Sequence, residues 1–320
     1  MDISESTLDD LMNVALDTLI REGKKETASR GEFLEAVGCH LILTNPLARL
    51  SRSEERGKLF SALGELFWYL SRDTMLDFIE HYVPGGVYAK ESDDNIRVRS
   101  GYGQRLFSLR DQNQLGNVIH LLSEKASSRR AVIQIFDAED LSEPFKSVPC
   151  TNSIQFLVRE NELHLVVSMR SNDAYLGLPH DVFCFTMLQE IVARTIGVEL
   201  GTYHHFVGSL HLYEEQRDAA VRYLDERWQS KISMPEMPRE DPWKNIQKAM
   251  AVEEQARLGD YKSIDVGNEP YWSDICRLLC AYSASRKGDQ EFIAEAKNRM
   301  SSKVYDIFLL ARMDKAKAIK

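Results

Sequence analysis

Between Ser6 and Arg21 the apolar residues Leu8, Leu11, Met12, Ala15, Leu16 and Leu19 recur at three- and four-residue steps, the spacing that gathers them on one helix face. Ser6 or Thr7 stands where an N-cap belongs, with a hydroxyl able to accept a first-turn N–H. The same period predicts helices over Ser53–Arg72, Asp73–Tyr82 and Leu115–Lys125, and a long one over His180–Gly197 that is apolar nearly all round and so buried. Alternation and β-branched content predict strands over Arg130–Phe136, Ser153–Val158, Glu162–Ser168 and Tyr203–Tyr213. Tyr82–Gly103, rich in Gly, Asp and Ser, reads as loop. After Tyr213 the pattern changes. Glu214–Gln229 reads as a charged helix, Ser233–Asp241 with Pro235 and Pro238 as a linker, and Asp241–Lys320 shows only helical periodicity. An α+β core over residues 1–232 and a helical C-terminal extension over 233–320 are expected, with no internal repeat or low-complexity tract.

Composition narrows the function classes. At 320 residues, 43% hydrophobic and 28% charged, the chain is of ordinary globular make-up and can bury a sizeable core. The net charge of −9 argues against a duplex nucleic-acid binder, which needs a broad basic surface. A few arginines in a pocket would still hold one phosphate. No apolar run approaches the ~20 residues that span a bilayer. The acidic start MDISESTLDD lacks the basic-then-apolar order of a signal peptide, so a cytoplasmic location is expected. Cys39, Cys150, Cys184, Cys276 and Cys280 are odd in number and scattered, which is not a disulfide framework. Cys276 and Cys280, four apart in an apolar helical stretch, read as buried thiols rather than metal ligands, because no second ligand pair accompanies them. No metal is expected.

The candidate chemistry gathers around Cys150. Val148-Pro149-Cys150-Thr151-Asn152-Ser153-Ile154-Gln155-Phe156 places a thiol at a strand start, just after a proline. Downstream come Met169-Arg170-Ser171-Asn172-Asp173, Leu176-Gly177-Leu178-Pro179-His180-Asp181 and His211-Leu212-Tyr213. Upstream lie Glu65-Leu66-Phe67-Trp68-Tyr69-Leu70 and Ser128-Arg129-Arg130. In this order and spacing the set resembles the thymidylate synthase family, whose pattern has P-C-H then Q-F at the nucleophile, R-S-x-D, L-G-L-P-F-N, H-x-Y, an E-L-x-W-F-L helix and a paired S-R-R. The resemblance runs from about Arg30 to Tyr213. It implies a thymidylate synthase-like core, with a mixed β-sheet and packed helices, that transfers a one-carbon group from methylene-tetrahydrofolate to carbon 5 of a pyrimidine nucleotide.

The chemistry such a transfer needs matches these residue types. Carbon 5 of a pyrimidine becomes nucleophilic only after something adds to carbon 6, and a thiolate adds readily and leaves again. It needs nearby positive charge to exist near neutral pH, which the resemblance assigns to Arg170. The resemblance also makes Arg30, in Ser29-Arg30-Gly31, a phosphate-closing arginine. It has Arg129 and Arg130 reach the phosphate from the partner subunit, which implies an obligatory homodimer. Ser171 belongs with this phosphate- and nucleotide-binding set. Glu65, a carboxylate in an apolar helix, is costly to bury unless paired or functional; the resemblance gives it proton transfers at the ring. Tyr102, in Gly101-Tyr102-Gly103, matches the tyrosine that helps remove the carbon-5 proton. His211 and Tyr213 alternate on a strand and share a face, where the family binds the sugar. Asp173, Leu176 and Gly177 fall where the family binds the folate pterin. His204 and His205 are adjacent on a strand and face opposite ways, so they make no two-ligand site.

Departures from the family pattern set the finer expectation. Asp181 stands where the uracil-specific pattern has asparagine. An asparagine amide complements both groups of the uracil edge, whereas a carboxylate accepts from the cytosine amino group and would face the uracil carbonyl with no proton between them. Asp181 thus points to CMP or dCMP, as in the deoxycytidylate hydroxymethylase branch; the alternative is a helix N-cap that never touches the base. No tryptophan lies between Trp68 and Trp228, and no closing tail of the family follows Tyr213. Both departures favour hydration, giving a hydroxymethyl group, over hydride transfer. Thr151, Met169, His180 and Ser209 also depart from the pattern, and His180 reads as a packed, neutral histidine. The alternatives are a thymidylate synthase methylating dUMP and a nucleotide-binding protein without turnover; a pure binder has no use for the thiol. In the extension, Trp243, Trp272, Leu278, Leu279 and Tyr282 suggest a helical hairpin docked on the core, with a partner-binding module or an active-site lid as the other readings.

Overall fold

The Thr7 hydroxyl accepts from the Asp10 amide at 3.1 Å and caps α1 (Leu8–Glu22), whose apolar face is buried as its spacing predicts. The computed structural model describes residues 1–28, 30–227 and 229–317. Among them are seven strands: β1 (Asp2–Glu5), β2 (Lys24–Ala28), β3 (Gly31–Leu43), β4 (Val132–Gln134), β5 (Thr151–Arg159), β6 (Glu162–Asp173) and β7 (Glu199–Tyr213). They form one mixed sheet in the order β1-β3-β7-β6-β5-β4, with β2 paired to β3 as a hairpin. β1 with β3 and β6 with β7 are parallel; the other pairs are antiparallel. The fold is α+β, one mixed sheet with packed helices, as expected.

Parallel β6 and β7 require a crossover, and α7 (Leu178–Ile196) supplies it, buried at Leu178 and Pro179 and continuously from Asp181 to Arg194. Beside it packs α2 (Leu59–Leu70), whose mainly apolar sequence is buried along almost its whole length. α3 (Leu76–Tyr82), α4 (Val87–Glu91), α5 (Tyr102–Phe107) and α6 (Gln114–Glu124) surround the sheet end that carries Cys150, and α8 (Arg217–Asp225) lies against α1. On β6 and β7, Leu163, Leu165, Val167, Tyr203, His205 and Val207 face the helices. His164, Val166, His204 and Phe206 lie on the opposite, uncovered face.

The structure departs from the hydrophobic pattern at several points. Residues 53–57 are turns rather than the first turns of α2, because the Glu226 carboxylate accepts from the Ser53 hydroxyl and the amides of Glu54 and Glu55 at 2.9–3.1 Å. Tyr82–Gly103 is not all loop. It holds α4, too short for periodicity to reveal, and α5 begins at Tyr102. The charged helix after Tyr213 ends at Asp225. Ser29, Trp228 and residues 318–320, on which parts of the Arg30 segment, that helix and the tail reading fall, lie outside the described residues. Strands β1 to β3 were not among the predicted elements.

In the extension α9 (Trp243–Leu258), α10 (Pro270–Arg286), α11 (Gln290–Asn298) and α12 (Asp306–Lys317) pack on one another, and α10 reaches α2. Tyr282 stacks on Tyr82 with centroids 5.0 Å apart, and its hydroxyl donates to the His81 carbonyl at 2.7 Å. Trp272, Leu278 and Leu279 are buried, and burial pushes the Cys276 and Cys280 thiols up to about 12. Residues 233–241 carry no regular structure but are pinned: the Met234 amide donates to Leu47 O at 2.8 Å and the Met237 amide to Glu190 at 2.7 Å. Among the described residues no helix is long and apolar enough to cross a membrane.

Candidate active site

One cleft of about 820 Å³ opens between the ends of β6 and β7, α2, α4, α5 and α12, within the ~300–1,000 Å³ that ligand pockets take. Cys150 lies at its wall immediately before β5. Arg170 fixes the approach: its Nε donates to Pro149 O at 2.9 Å, its Nη2 to Val148 O at 3.0 Å, and its amide to Cys150 O at 2.8 Å. Burial pushes the Cys150 thiol up, and Arg170 pulls it back ahead of Arg30, against the carboxylates of Asp181 and Glu91. The arginine expected to favour a thiolate is thus beside it, but burial outweighs it.

Two buried carboxyls face the same space. The Glu65 Oε1 accepts from the hydroxyls of Tyr69 at 2.6 Å and Tyr88 at 3.2 Å, and burial raises its pKa despite them. Asp181 sits in the first turn of α7, whose N-cap is Gly177. Its carboxyl caps no backbone amide. Instead Oδ2 accepts from Asn172 Nδ2 at 2.7 Å, which removes the N-cap alternative. Burial, then Glu65, holds Asp181 well above the ordinary carboxyl range, with Asp173 adding to the rise. Tyr102 completes this end. Its hydroxyl oxygen accepts from the Thr151 amide at 3.2 Å and the Thr151 hydroxyl at 2.9 Å, leaving its own proton uncommitted.

The remaining predicted residues divide by location. Asp173, Leu176 and Gly177 line one wall, where Asp173 Oδ1 accepts from the Tyr175 and Leu176 amides at 2.8 and 2.7 Å. Ser171, His211 and Tyr213 line the cleft together, with the rings of His211 and Tyr213 5.0 Å apart edge to face. Arg30 enters it from the turn between β2 and β3 and is ion-paired with Glu91 of α4. Arg129 and Arg130 are exposed and are not among the residues lining the cleft of their own chain. His180 is neutral as expected: burial first, then Arg56, pulls it down to about 3, and its Nε2 lies 2.8 Å from the Ser61 hydroxyl.

Several lining residues carried no sequence signal. Asn172 occupies the variable position of its motif. Tyr88 and Glu91 lie on the unpredicted α4, and Arg56 and Lys58 in a stretch read as regular helix. Arg312 and Lys315 come from α12, far along the chain. Burial lowers the Lys58 pKa, with Lys315, Arg56 and Arg312 adding repulsion, so this rim is strongly cationic.

A half-buried thiol beside an arginine, facing protonatable carboxyls across this cleft, is the set of groups with which a cysteine nucleophile can work. A sequence model of the thymidylate synthase family matches residues 53–266, and the chain belongs to that family. It is 31% identical over 209 residues to a deoxyuridylate hydroxymethyltransferase of Delftia phage PhiW-14, covering 61% of this chain and 57% of that protein. It is 25% identical over 218 residues to a thymidylate synthase of Buchnera aphidicola, covering 66% and 81%. To a thymidylate synthase of Bacillus phage phi3T it is 34% identical over 133 residues, covering 40% and 47%. Two of these three relatives are therefore spanned over less than two thirds of their own length.

Proposed function

We propose that the chain is a one-carbon transferase that hydroxymethylates carbon 5 of a cytidylate, CMP or dCMP, through a covalent bond from Cys150 Sγ to carbon 6. The observation that carries this reading is the Asp181 carboxyl, buried in the same cleft as the Cys150 thiol and held by Asn172. In this reading Arg170 fixes the nucleophile's loop and offers charge to phosphate, joined by Arg30, Ser171, and Arg129 and Arg130 of the partner subunit. His211 and Tyr213 receive the sugar. Asp181 meets the 4-amino edge of the base. Glu65 and Tyr102 move protons at the ring, since the first is a protonatable buried acid and the second has a free hydroxyl proton.

The folate fits the far wall, where Asp173 keeps one oxygen clear of the backbone amides and Leu176 and Gly177 leave an open apolar surface. Methylene-tetrahydrofolate supplies, when bound, a one-carbon unit at the oxidation level of formaldehyde. Hydration rather than reduction is favoured by the wall that Tyr88 and Glu91 build ahead of Gly101-Tyr102-Gly103, a segment with no tryptophan of its own, although Trp68 of α2 packs against Tyr88. The catalytic unit is residues 1–232, and the extension from residue 233 completes its rim with Tyr282, Arg312 and Lys315. A homodimer is supported by the uncovered sheet face, on which Phe206 is 41% exposed, and by the outward placement of Arg129 and Arg130.

A second reading, hydroxymethylation of a uridylate, is favoured by the likeness to the phage deoxyuridylate hydroxymethyltransferase. Incubating the protein with methylene-tetrahydrofolate and each of CMP, dCMP, UMP and dUMP, then weighing the products, separates these readings. A hydroxymethyl adduct of a cytidylate supports the first. A methylated dUMP would return the chain to thymidylate synthase activity.

A further inference from the structure

Asn172 stands between two buried polar groups. Its Nδ2 donates to Asp181 Oδ2 at 2.7 Å, and its Oδ1 faces His205 Nε2 at 2.9 Å. On the far side of that imidazole, His205 Nδ1 meets the Tyr203 hydroxyl at 2.6 Å. Asn172, Asp181, His205 and Tyr203 are all buried, and neither His205 nor Tyr203 lines the cleft. Burial pulls His205 down to about 3, so its ring is neutral, with one N–H and one acceptor nitrogen. An amide oxygen can only accept. The His205 proton therefore sits on Nε2, Nδ1 is the acceptor, and Tyr203 donates to it. Every hydrogen bond in the chain points the same way, from Tyr203 through His205 and Asn172 to Asp181. Gly177 makes room for its end: a Cβ there would lie 3.0 Å from Asn172 Nδ2 and 3.5 Å from Asp181 Oδ2.

A protonatable carboxyl reading a base edge has need of such a chain. Burial with Glu65 on α2 and Asp173 on β6 nearby favours the protonated form of Asp181. A protonated carboxyl offers one donor and one acceptor. Where Oδ1 faces ring nitrogen 3 and Oδ2 the 4-position, a proton on Oδ1 complements ring nitrogen 3 and the 4-amino group of cytosine. With the proton moved to Oδ2 it complements the N3–H and 4-carbonyl of uracil. Alone, the acid reads both bases. An acid's hydroxyl oxygen accepts a hydrogen bond more weakly than its carbonyl oxygen, so a donor held against Oδ2 opposes the second arrangement.

We propose that Asp181 sets Oδ1 against ring nitrogen 3 and Oδ2 against the 4-position, and that the Tyr203–His205–Asn172 chain confines its proton to Oδ1 and so makes it a one-way reader of the cytosine edge. This rests on the reading above that Asp181 meets the base. Asn172, His205 and Tyr203 are positioning residues that act through the carboxyl.

The test is calorimetric binding of CMP and UMP to the full chain without folate, in the wild type and in Tyr203→Phe, Asp181→Asn and their combination. Tyr203→Phe removes one buried hydroxyl, with His205 and Asn172 between it and Asp181, at constant shape. It is expected to narrow the CMP-over-UMP preference about threefold to tenfold, with no further effect once Asp181 is Asn. An unchanged preference in Tyr203→Phe, with a shifted one in Asp181→Asn, overturns the chain's role and leaves the base reading standing. An unchanged preference in Asp181→Asn overturns both. An effect of Tyr203→Phe that persists beside Asp181→Asn shows that it does not act through the carboxyl, and also overturns the proposal. Nitrogen-15 spectra of the wild type give an answer that does not depend on how the variants fold: His205 is expected neutral with its proton on Nε2, and a proton on Nδ1 would reverse the chain and end the proposal.

Discussion

Replacing Glu190 by leucine removes the partner of a guanidinium that has no route to water. Arg49 Nη2 and Glu190 Oε2 are 2.6 Å apart with both side chains wholly buried, and Arg49 Nε and Nη1 have no partner among the described residues. The other carboxylate oxygen, Oε1, accepts the Met237 amide at 2.7 Å. Arg194 is less dependent on this carboxylate, because Glu236 lies 3.4 Å and Glu199 3.7 Å from it. Stranding a buried charge costs about 3–5 kcal/mol, a large share of the ~5–15 kcal/mol that holds a typical fold. Arg49→Met with Glu190→Leu strands no charge and leaves only the Met237 amide unpaired, about 1–3 kcal/mol. The double variant should thus be more stable than Glu190→Leu by about 2 kcal/mol or more, a coupling that urea unfolding followed by circular dichroism measures. Through the Met237 amide the Glu190 carboxylate joins residues on both sides of position 232, so the wild type should unfold in one transition and Glu190→Leu should loosen the extension first. A cost below about 1 kcal/mol for Glu190→Leu, or a double variant no better than the single, would refute the reasoning.

Three further outcomes are expected. Alkylation of Cys150 by iodoacetamide should rise with pH, since the thiolate reacts, through a midpoint above the ordinary thiol value of ~8.5. Arg170→Met should move that midpoint higher still, because it removes the charge that pulls the thiol down; a wild-type midpoint below the ordinary value contradicts the burial argument. Cys150→Ser and Arg129→Ala, each inactive alone, should recover roughly a quarter of wild-type activity on equal mixing, since half the dimers then carry one intact site. No recovery despite demonstrated subunit exchange would exclude a shared phosphate site. Glu91→Gln should release Arg30 and lower the KM for the nucleotide by about two- to fivefold, the scale of a partly exposed ion pair; an equal gain for the unphosphorylated nucleoside would show that phosphate is not what Arg30 meets.

Much of the site was legible in the chain because it is local. The motif around Cys150 and the run from Met169 to Asp181 lie on β5, β6 and the start of α7, consecutive elements that fold back on one another, so their order in sequence is nearly their order in space. The apolar periods of α1, α2 and α7 are local too, and Thr7 caps where a threonine should. Tertiary structure alone decided the rest. β3, a long strand with polar and small residues among its apolar ones, is made by pairing with β7 and β1 rather than by its own propensity. Tyr88 and Glu91 enter the cleft on a helix of five residues, too short to show a period, and Arg312 and Lys315 are brought in by packing of α12. Asn172 and His205 read as an arbitrary residue and a strand histidine until β6 and β7 lie side by side. A hydrogen-bonded chain between strands is a property of register, and register is fixed by long-range pairing that no window of sequence contains.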